Sequence, residues 1–297
     1  MTSRSMSNRF NRQIQLFGAA GQRRIEEARI VLLGCGGLGM HVIQQLAYLG
    51  VQHWTLLDHD EVDETSLNRL VTTVPDDEGA MKLEIATRLI RSLHPAAQID
   101  PIDGLLGDPE IEDRLAQRVA GADLVIGCFD NETPRLHTTK LGSDHGVPYI
   151  DAATDVVDVE GGLSYGGRVI VAHDGTGCLA CLDILDLREL RREQMTPEQR
   201  AEHDRIYGID HGDLEGSGPS VVTLNGVVAS LACTEAMMIL TGLRDPNRQL
   251  TYRGDLGGVS RNTTTGNPDC AFCAHWRERR AGVPKRGTSS QVTDESA

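Results

Sequence analysis

Three glycines in Gly34-Cys-Gly-Gly-Leu-Gly39 carry the G-x-G-x-x-G spacing that lets a chain turn tightly against a phosphate. In that pattern Gly34 permits the turn, Gly36 lets the backbone approach the phosphate, and Gly39 lets the next helix pack on its strand. The helix N-terminus stabilises the anion. Asp58 follows roughly twenty residues on, where a carboxylate accepts from a ribose hydroxyl. These groups point to a nucleotide but do not choose between NAD and ATP. Three cations surround the turn: Arg12 in Arg9-Phe-Asn-Arg12, Arg69 in Ser66-Leu-Asn-Arg69, and Lys82. Hydride transfer occurs away from the diphosphate and leaves such cations idle, whereas a reacting triphosphate accumulates charge on the departing pyrophosphate. Asp130 completes the set as a carboxylate able to hold Mg²⁺ across the phosphates.

A second constellation is the pair of knuckles Cys178-Leu-Ala-Cys181 and Cys270-Ala-Phe-Cys273. Four thiolates close a tetrahedral Zn²⁺ site and leave no open position, so such an ion is structural. The alternative is two reduced or redox-active C-x-x-C motifs, but neither follows the strand-to-helix context of a thioredoxin-like site. Zinc would staple the segment after Ala172 to the C-terminal end. Cys35, Cys128 and Cys233 stand singly in apolar or glycine-rich surroundings and read as buried small hydrophobes.

The elements that must position these groups alternate. Arg29–Leu33 reads as a strand, the glycine turn opens a helix, and His53–Asp58 closes a right-handed βαβ unit. A polar loop runs to about Pro75, and a helix through Ile85, Leu89 and Leu93 is stopped by Pro95. Strand near Ile99 to Ile102, helix Pro109 to Val119, strand Asp123 to Cys128, helix Glu132 to His145 and strand Val147 to Asp151 continue the pattern. Alternation of this kind predicts a parallel, doubly wound, Rossmann-like sheet. From about Gly161, long β-rich stretches, Leu163–Ala172 and Gln249–Arg261, predict an antiparallel C-terminal extension. Asp186 to Gly218 reads as a mobile crossover loop with some helix at its start. Val221 to Leu240, opened by Pro219 and capped by Gly242, reads as a core or interface helix. Residues 283–297 are expected to be disordered.

Composition excludes several classes. The chain has 297 residues, 39% hydrophobic, with 29 Lys and Arg against 43 Asp and Glu, for a formal charge of −14. That balance opposes binding to nucleic acid or to anionic lipid. Aromatics at 4% offer no stacking platform for bases. The late helix reads as too polar and Ala-rich to span a bilayer, and the N-terminus lacks an apolar signal core, so a cytoplasmic protein is expected. His59 is expected on a solvent-facing loop, His41 in partial burial on the helix after the glycine turn.

Together these residues resemble the ubiquitin-activating-enzyme-like adenylyltransferases, the group holding the MoeB, ThiF and HesA proteins. The resemblance runs from Arg9 to Cys273 and rests on Arg9-Phe-Asn-Arg-Gln13, the glycine turn including Gly37, Leu57-Asp-His-Asp60, Leu67-Asn68-Arg69, Lys82, Asp130-Asn131 with Arg135, both knuckles, and Pro219, Gly226, Glu235 and Gly242. It implies that the carboxylate of a C-terminal glycine, on a small ubiquitin-like β-grasp protein, attacks the α-phosphate of ATP and releases pyrophosphate. In that reading Arg12 reaches across a homodimer into the partner's ATP, and Asp58 holds the ribose. Arg69 and Lys82 face the phosphates, Asp130 carries Mg²⁺, and Asp60, Ser66, Asn68 and Asn131 join the nucleotide contacts. One adenylation domain over residues 1–282 is implied, with a nucleotide half at about 9–155 and a zinc and carrier-binding half at about 156–282. Relatives commonly carry an asparagine where this chain has Ser66. The stretch between Cys181 and Cys233 contains no cysteine, and Cys233 falls on an apolar helix, so no enzyme thioester is expected. A nicotinamide-dependent oxidoreductase and a non-catalytic, partner-binding relative of the same fold are the rival readings.

Overall fold

The central runs rich in branched aliphatics become strands because both faces of the sheet are covered there. The computed structural model describes residues 9–159, 162–196, 198–200, 202 and 219–282. In β1 (Arg29–Leu33), Ile30 and Leu32 enter one apolar cluster while Val31 and Leu33 enter another on the opposite face. Continuous apolar runs of this kind are what a buried parallel strand requires. The other strands are β2 (His53–Asp58), β3 (Gln98–Asp103), β4 (Leu124–Gly127), β5 (Tyr149–Val159), β6 (Gly162–Ala172), β7 (Gln249–Arg253) and β8 (Gly258–Asn262). Their order in one sheet is β3-β2-β1-β4-β5-β6-β7-β8. Pairings from β3 to β5 are parallel and those from β5 to β8 antiparallel. The expected Rossmann-like half and its antiparallel extension are therefore one continuous sheet, and β5 itself runs through residues 155 and 156.

Helices α1 (Asn11–Glu27), α2 (Gly37–Leu49) and α3 (Lys82–Leu93) lie with the first cluster. Helices α4 (Pro109–Ala120) and α5 (Glu132–Asp144) lie with the second. The short α6 (Leu187–Glu193) starts the crossover segment, α7 (Val222–Thr241) is the late apolar helix, and α8 (Ala274–Gly282) follows the second knuckle. The crossover reading over 203–218 and the tail reading over 283–297 lie outside the described residues.

Two elements differ from the sequence pattern. The residues before β1, which the sequence pattern assigns to no element, form a helix: α1 bends at Gly18 (φ 70°) and buries only Phe17, Gly21, Gln22 and Ile25, too narrow an apolar stripe to stand out. Gln22, buried, accepts from Gln13 at 2.7 Å and donates to Leu49 O, which seats α1 on the end of α2. The single β-rich stretch at Gln249–Arg261 is a hairpin, because Gly257 (φ 66°) permits a turn that an uninterrupted run would not.

Helix α7 is long and apolar enough to cross a membrane by length and composition, yet it packs on α1, α2, β5 and β6 inside the fold. Its buried polar residues have fixed partners. Glu235, 1% exposed, accepts from both Arg244 Nη atoms at 2.8 Å and from Asn247. Burial pushes this carboxyl up, but the hydrogen bonds outweigh it and hold Glu235 below the usual glutamate range. Glu235→Ala is expected to cost about 2 kcal/mol, discounted because Arg244 is half exposed. A depressed folded pKa means this stabilisation is present above about pH 4.3 and lost as pH falls through the folded value. Urea melts of both proteins at neutral and acid pH should converge at the acid end.

Candidate active site

Ligands of doubly wound sheets bind at the carboxyl ends of strands where the order reverses, here between β1 and β4. A cleft of about 500 Å³ lies there, a volume suited to a small ligand. Its floor is the glycine turn. Gly34 adopts φ +92°, and a Cβ there would stand 2.6 Å from Cys128 O. Gly36 caps α2, and a Cβ on it would meet nothing within 4 Å, so the helix N-terminus opens onto the cleft. Gly37 is crowded by Asn225 and Arg69, and a Cβ on it would stand 2.7 Å from Asn225 Nδ2. Gly39 serves packing: its Cβ would fall 1.9 Å from Gly34 O, a main-chain atom that cannot rotate away. Gly39→Ala is therefore expected to cost about 1–3 kcal/mol or more and to abolish the Tm increase that ATP gives the wild type. Thermal melts with and without ATP check both.

Asp58 ends β2 and is 7% exposed. Its Oδ2 accepts from Cys35 N at 2.6 Å and its Oδ1 from Asp60 N at 2.9 Å, which fixes the carboxylate at the cleft wall. Burial pushes Asp58 up, and those two N–H donors oppose the shift. Lys82, at the start of α3, places Nζ 2.6 Å from Asp60 Oδ2, and its N–H donates to Asp60 O. Its side chain is 12% exposed against 49% for Asp60, so the ammonium is the more enclosed partner. Arg69 Nη1 donates to the main-chain carbonyl of Thr65, which leaves further guanidinium donors for an anion. His59 is exposed and faces Asp60 at 3.2 Å.

Past β4, Phe129, Asp130 and Asn131 form the opposite wall, with Asp130 and Asn131 exposed at its lip. Arg135 on α5 is buried and spent: it holds Asp151 with Nε and Nη2 and Glu132 Oε1 with Nη1 at 2.8 Å. Its role is to order α5 against β5. Glu193 of α6 accepts from the N–H groups of Glu132 and Thr133, both at 2.7 Å, so the crossover segment docks on the N-terminus of α5 beside Asn131.

The structure thus brings Gly34, Gly36, Gly37, Asp58, Asp60, Arg69, Lys82, Asp130 and Asn131 to one cleft. It places four other predicted residues outside the lining. Ser66 is buried, with its hydroxyl and N–H both committed to Asp63 Oδ1, so it shapes the turn before Arg69. Asn68 is exposed on that turn, Gly39 lies beneath the floor, and Arg12 is exposed on α1. Glu132, Thr154, Asp155, Arg168 and Asn225 line the cleft and escaped the sequence reading. Asn225 carried a signal, an amide among the apolar residues at the start of α7; it accepts from Thr154 Oγ1 and donates to Ser220 Oγ.

The thiols divide as their surroundings dictate. Cys178, Cys181, Cys270 and Cys273 place their sulfurs within 4.8 Å of one another, with separations of 3.7 and 3.8 Å. Four sulfurs each about 2.3 Å from one ion stand about 3.8 Å apart, so the set fits tetrahedral Zn²⁺. A hydrogen bond from Cys273 holds Cys178 below the usual thiol range. Cys233 is buried, donates toward Val42 O, and is pushed far up by burial, as is Cys128 in the cleft wall. Neither is a ready thiolate.

Residues 10–271 match the model of the ThiF family. The chain is 29% identical to the molybdopterin-synthase adenylyltransferase of Escherichia coli (strain K12) over 269 residues, 89% of this chain and 95% of that protein. It is 32% identical to the SAMP-activating enzyme E1 of Haloferax volcanii over 272 residues, 90% of this chain and 88% of that one. Among solved structures, E. coli MccB with ATP superposes with a TM-score of 0.69 at 21% identity, covering 90% of this chain and 75% of that chain.

Proposed function

Since the chain belongs to the ThiF family, we propose that it adenylylates the C-terminal glycine carboxylate of a small ubiquitin-like, β-grasp carrier protein. A carboxylate oxygen bonds to the α-phosphorus of ATP, the bond to the β-phosphate oxygen breaks, and pyrophosphate leaves with that electron pair. The observation that carries the reading is the single cleft in which a glycine turn, Asp58, Arg69 and Lys82 meet at the strand ends. Similarity to two named activating enzymes along nearly their whole lengths supports it.

The chemistry suits these residues. An ionised carboxylate needs no general base, so the site supplies orientation and charge. Asp58 holds the ribose, assisted by Asp60 once Lys82 turns to phosphate, and the N-terminus of α2 at Gly36 takes phosphate oxygens. Arg69 and Lys82 offset the charge gathering on pyrophosphate. Asp130 at the lip, with Asn131 beside it, suits Mg²⁺, which takes one or two carboxylates plus phosphates and keeps several waters. When bound, that ion neutralises phosphate charge. Arg12, exposed on α1, reaches the nucleotide of the second subunit in a cytoplasmic homodimer. The four cysteines hold a structural Zn²⁺. The residues to about 155 serve the nucleotide and the remainder the carrier, whose tail passes beside the crossover segment anchored by Glu193. With no accessible thiolate at the cleft, the adenylate is the product and no enzyme thioester forms.

Radioactive pyrophosphate exchange into ATP tests the reading. Exchange should require a carrier ending in glycine and vanish when that glycine is deleted. Exchange without any carrier, or NAD binding that competes with ATP, would contradict it.

A further inference from the structure

Two residues in the cleft wall hold buried side-chain atoms with no hydrogen-bonding partner among the described residues: Arg168 Nε and Glu132 Oε2. Each is half of a group otherwise engaged. Arg168, on β6, pairs Nη1 with Asp155 Oδ2 at 2.9 Å and has a side chain 22% exposed. Glu132, at the start of α5, gives Oε1 to Arg135 and is fixed through its own N–H by Glu193. Burial pushes the Glu132 carboxyl up, and the charges of Arg135 and Arg168 oppose that shift. A buried polar atom without a partner is costly, and a ligand that supplies one recovers that cost. One orphan is a donor and the other an acceptor. A peptide main chain supplies both partners, with its carbonyl for Arg168 and its N–H for Glu132.

We infer that Arg168 and Glu132 clamp the main chain of the substrate's tail just before its terminal glycine, Arg168 Nε donating to a carbonyl and Glu132 Oε2 accepting an amide N–H. The inference rests on the proposed function and deepens it by naming what holds the tail while its carboxylate faces ATP. Recognition of this kind reads the backbone and rejects an N-alkylated unit at the clamped position. Arg135 is less suited to the task, because it is buried and its Nε, Nη1 and Nη2 are each already bonded to Asp151 or Glu132.

The test uses a purified Gly-Gly-ending carrier and semisynthetic forms in which each of the last two amide N–H groups is replaced in turn by an ester oxygen. With the wild type, one ester form should raise KM for the carrier about tenfold, as loss of a hydrogen bond to a charged group does. Glu132→Gln, which presents a donor in place of the acceptor, should raise KM for the amide carrier about tenfold and gain no further penalty from that ester. Arg168→Lys keeps the charge beside Asp155 but lacks the Nε donor. It should raise KM for the carrier about tenfold with KM for ATP within about twofold. Should Glu132→Gln fail to fold, the ester series and Arg168→Lys decide. Equal KM for all carriers in the wild type, or an unchanged KM in Arg168→Lys, overturns the clamp while leaving carrier-dependent exchange in place. No exchange with any carrier removes the clamp and the proposed function together.

Discussion

Arg69→Ala is expected to lower carrier-dependent pyrophosphate exchange by about 10²- to 10³-fold, the usual effect of removing one preorganised donor from a site of developing charge. The loss should fall on kcat more than on KM for ATP, since the arginine meets most charge when pyrophosphate departs. The fold should survive, because among the described residues this side chain donates only to Thr65 O, on a surface turn. Lys82→Ala should cost a similar factor by the same reasoning, but its interpretation differs. The lysine is paired with Asp60 in the structure, so its removal also leaves that carboxylate facing the phosphates. Arg69 is therefore the cleaner probe. Full exchange in Arg69→Ala would mean that the triphosphate lies elsewhere in the cleft.

Loss of the ion proposed for the four cysteines is the second large effect. Cys178, Cys270 and Cys273 are buried with Trp276 against α5 and the start of β5. Trp276 donates to Val147 O at 2.8 Å and Ser143 to Phe272 O, so the knuckles anchor the C-terminal segment to the wall that carries Asp130 and Glu132. Cys273→Ser, or stripping with a strong chelator, should remove about 5 kcal/mol, a fraction of the free energy of structural zinc sites. At about 2–4 °C per kcal/mol, that lowers Tm by about 10–20 °C. Residual exchange measured well below the new Tm should persist, because none of the four sulfurs lines the cleft. A stoichiometric metal assay should give one zinc per chain in the wild type. An unchanged Tm after chelation, with no zinc found, would make the cluster a set of plain thiols.

The fold was legible where local pattern and global demand agree. β1, the glycine turn and β2 could be read almost to the residue, because a buried parallel strand is continuously apolar and the turn requires glycine at Gly34 on steric grounds. The helix α1 was not legible, because its contacts are made by amides such as Gln22 and by a stripe of four buried residues. The floor of the cleft follows from the sequence for the same reason as β1 does. Its far wall does not: Arg168 and Asp155 sit on different strands, and Glu132 reads as an ordinary first-turn acid of α5. Only pairing of β5 with β6 brings those charges to the strand ends. Ser66 shows the converse, a residue with the right chemistry at a matching position whose hydroxyl is already taken by Asp63.

Intact-mass spectrometry of small glycine-ending proteins incubated with this chain and Mg·ATP reports most directly on what the cleft makes. One such protein should gain the mass of AMP, lose it on mild alkaline hydrolysis, and gain it about 10²- to 10³-fold more slowly when Arg69 is alanine. A carrier that never acquires the adenylate, or one that instead appears covalently attached to a cysteine of this chain, would contradict the chemistry assigned to these residues.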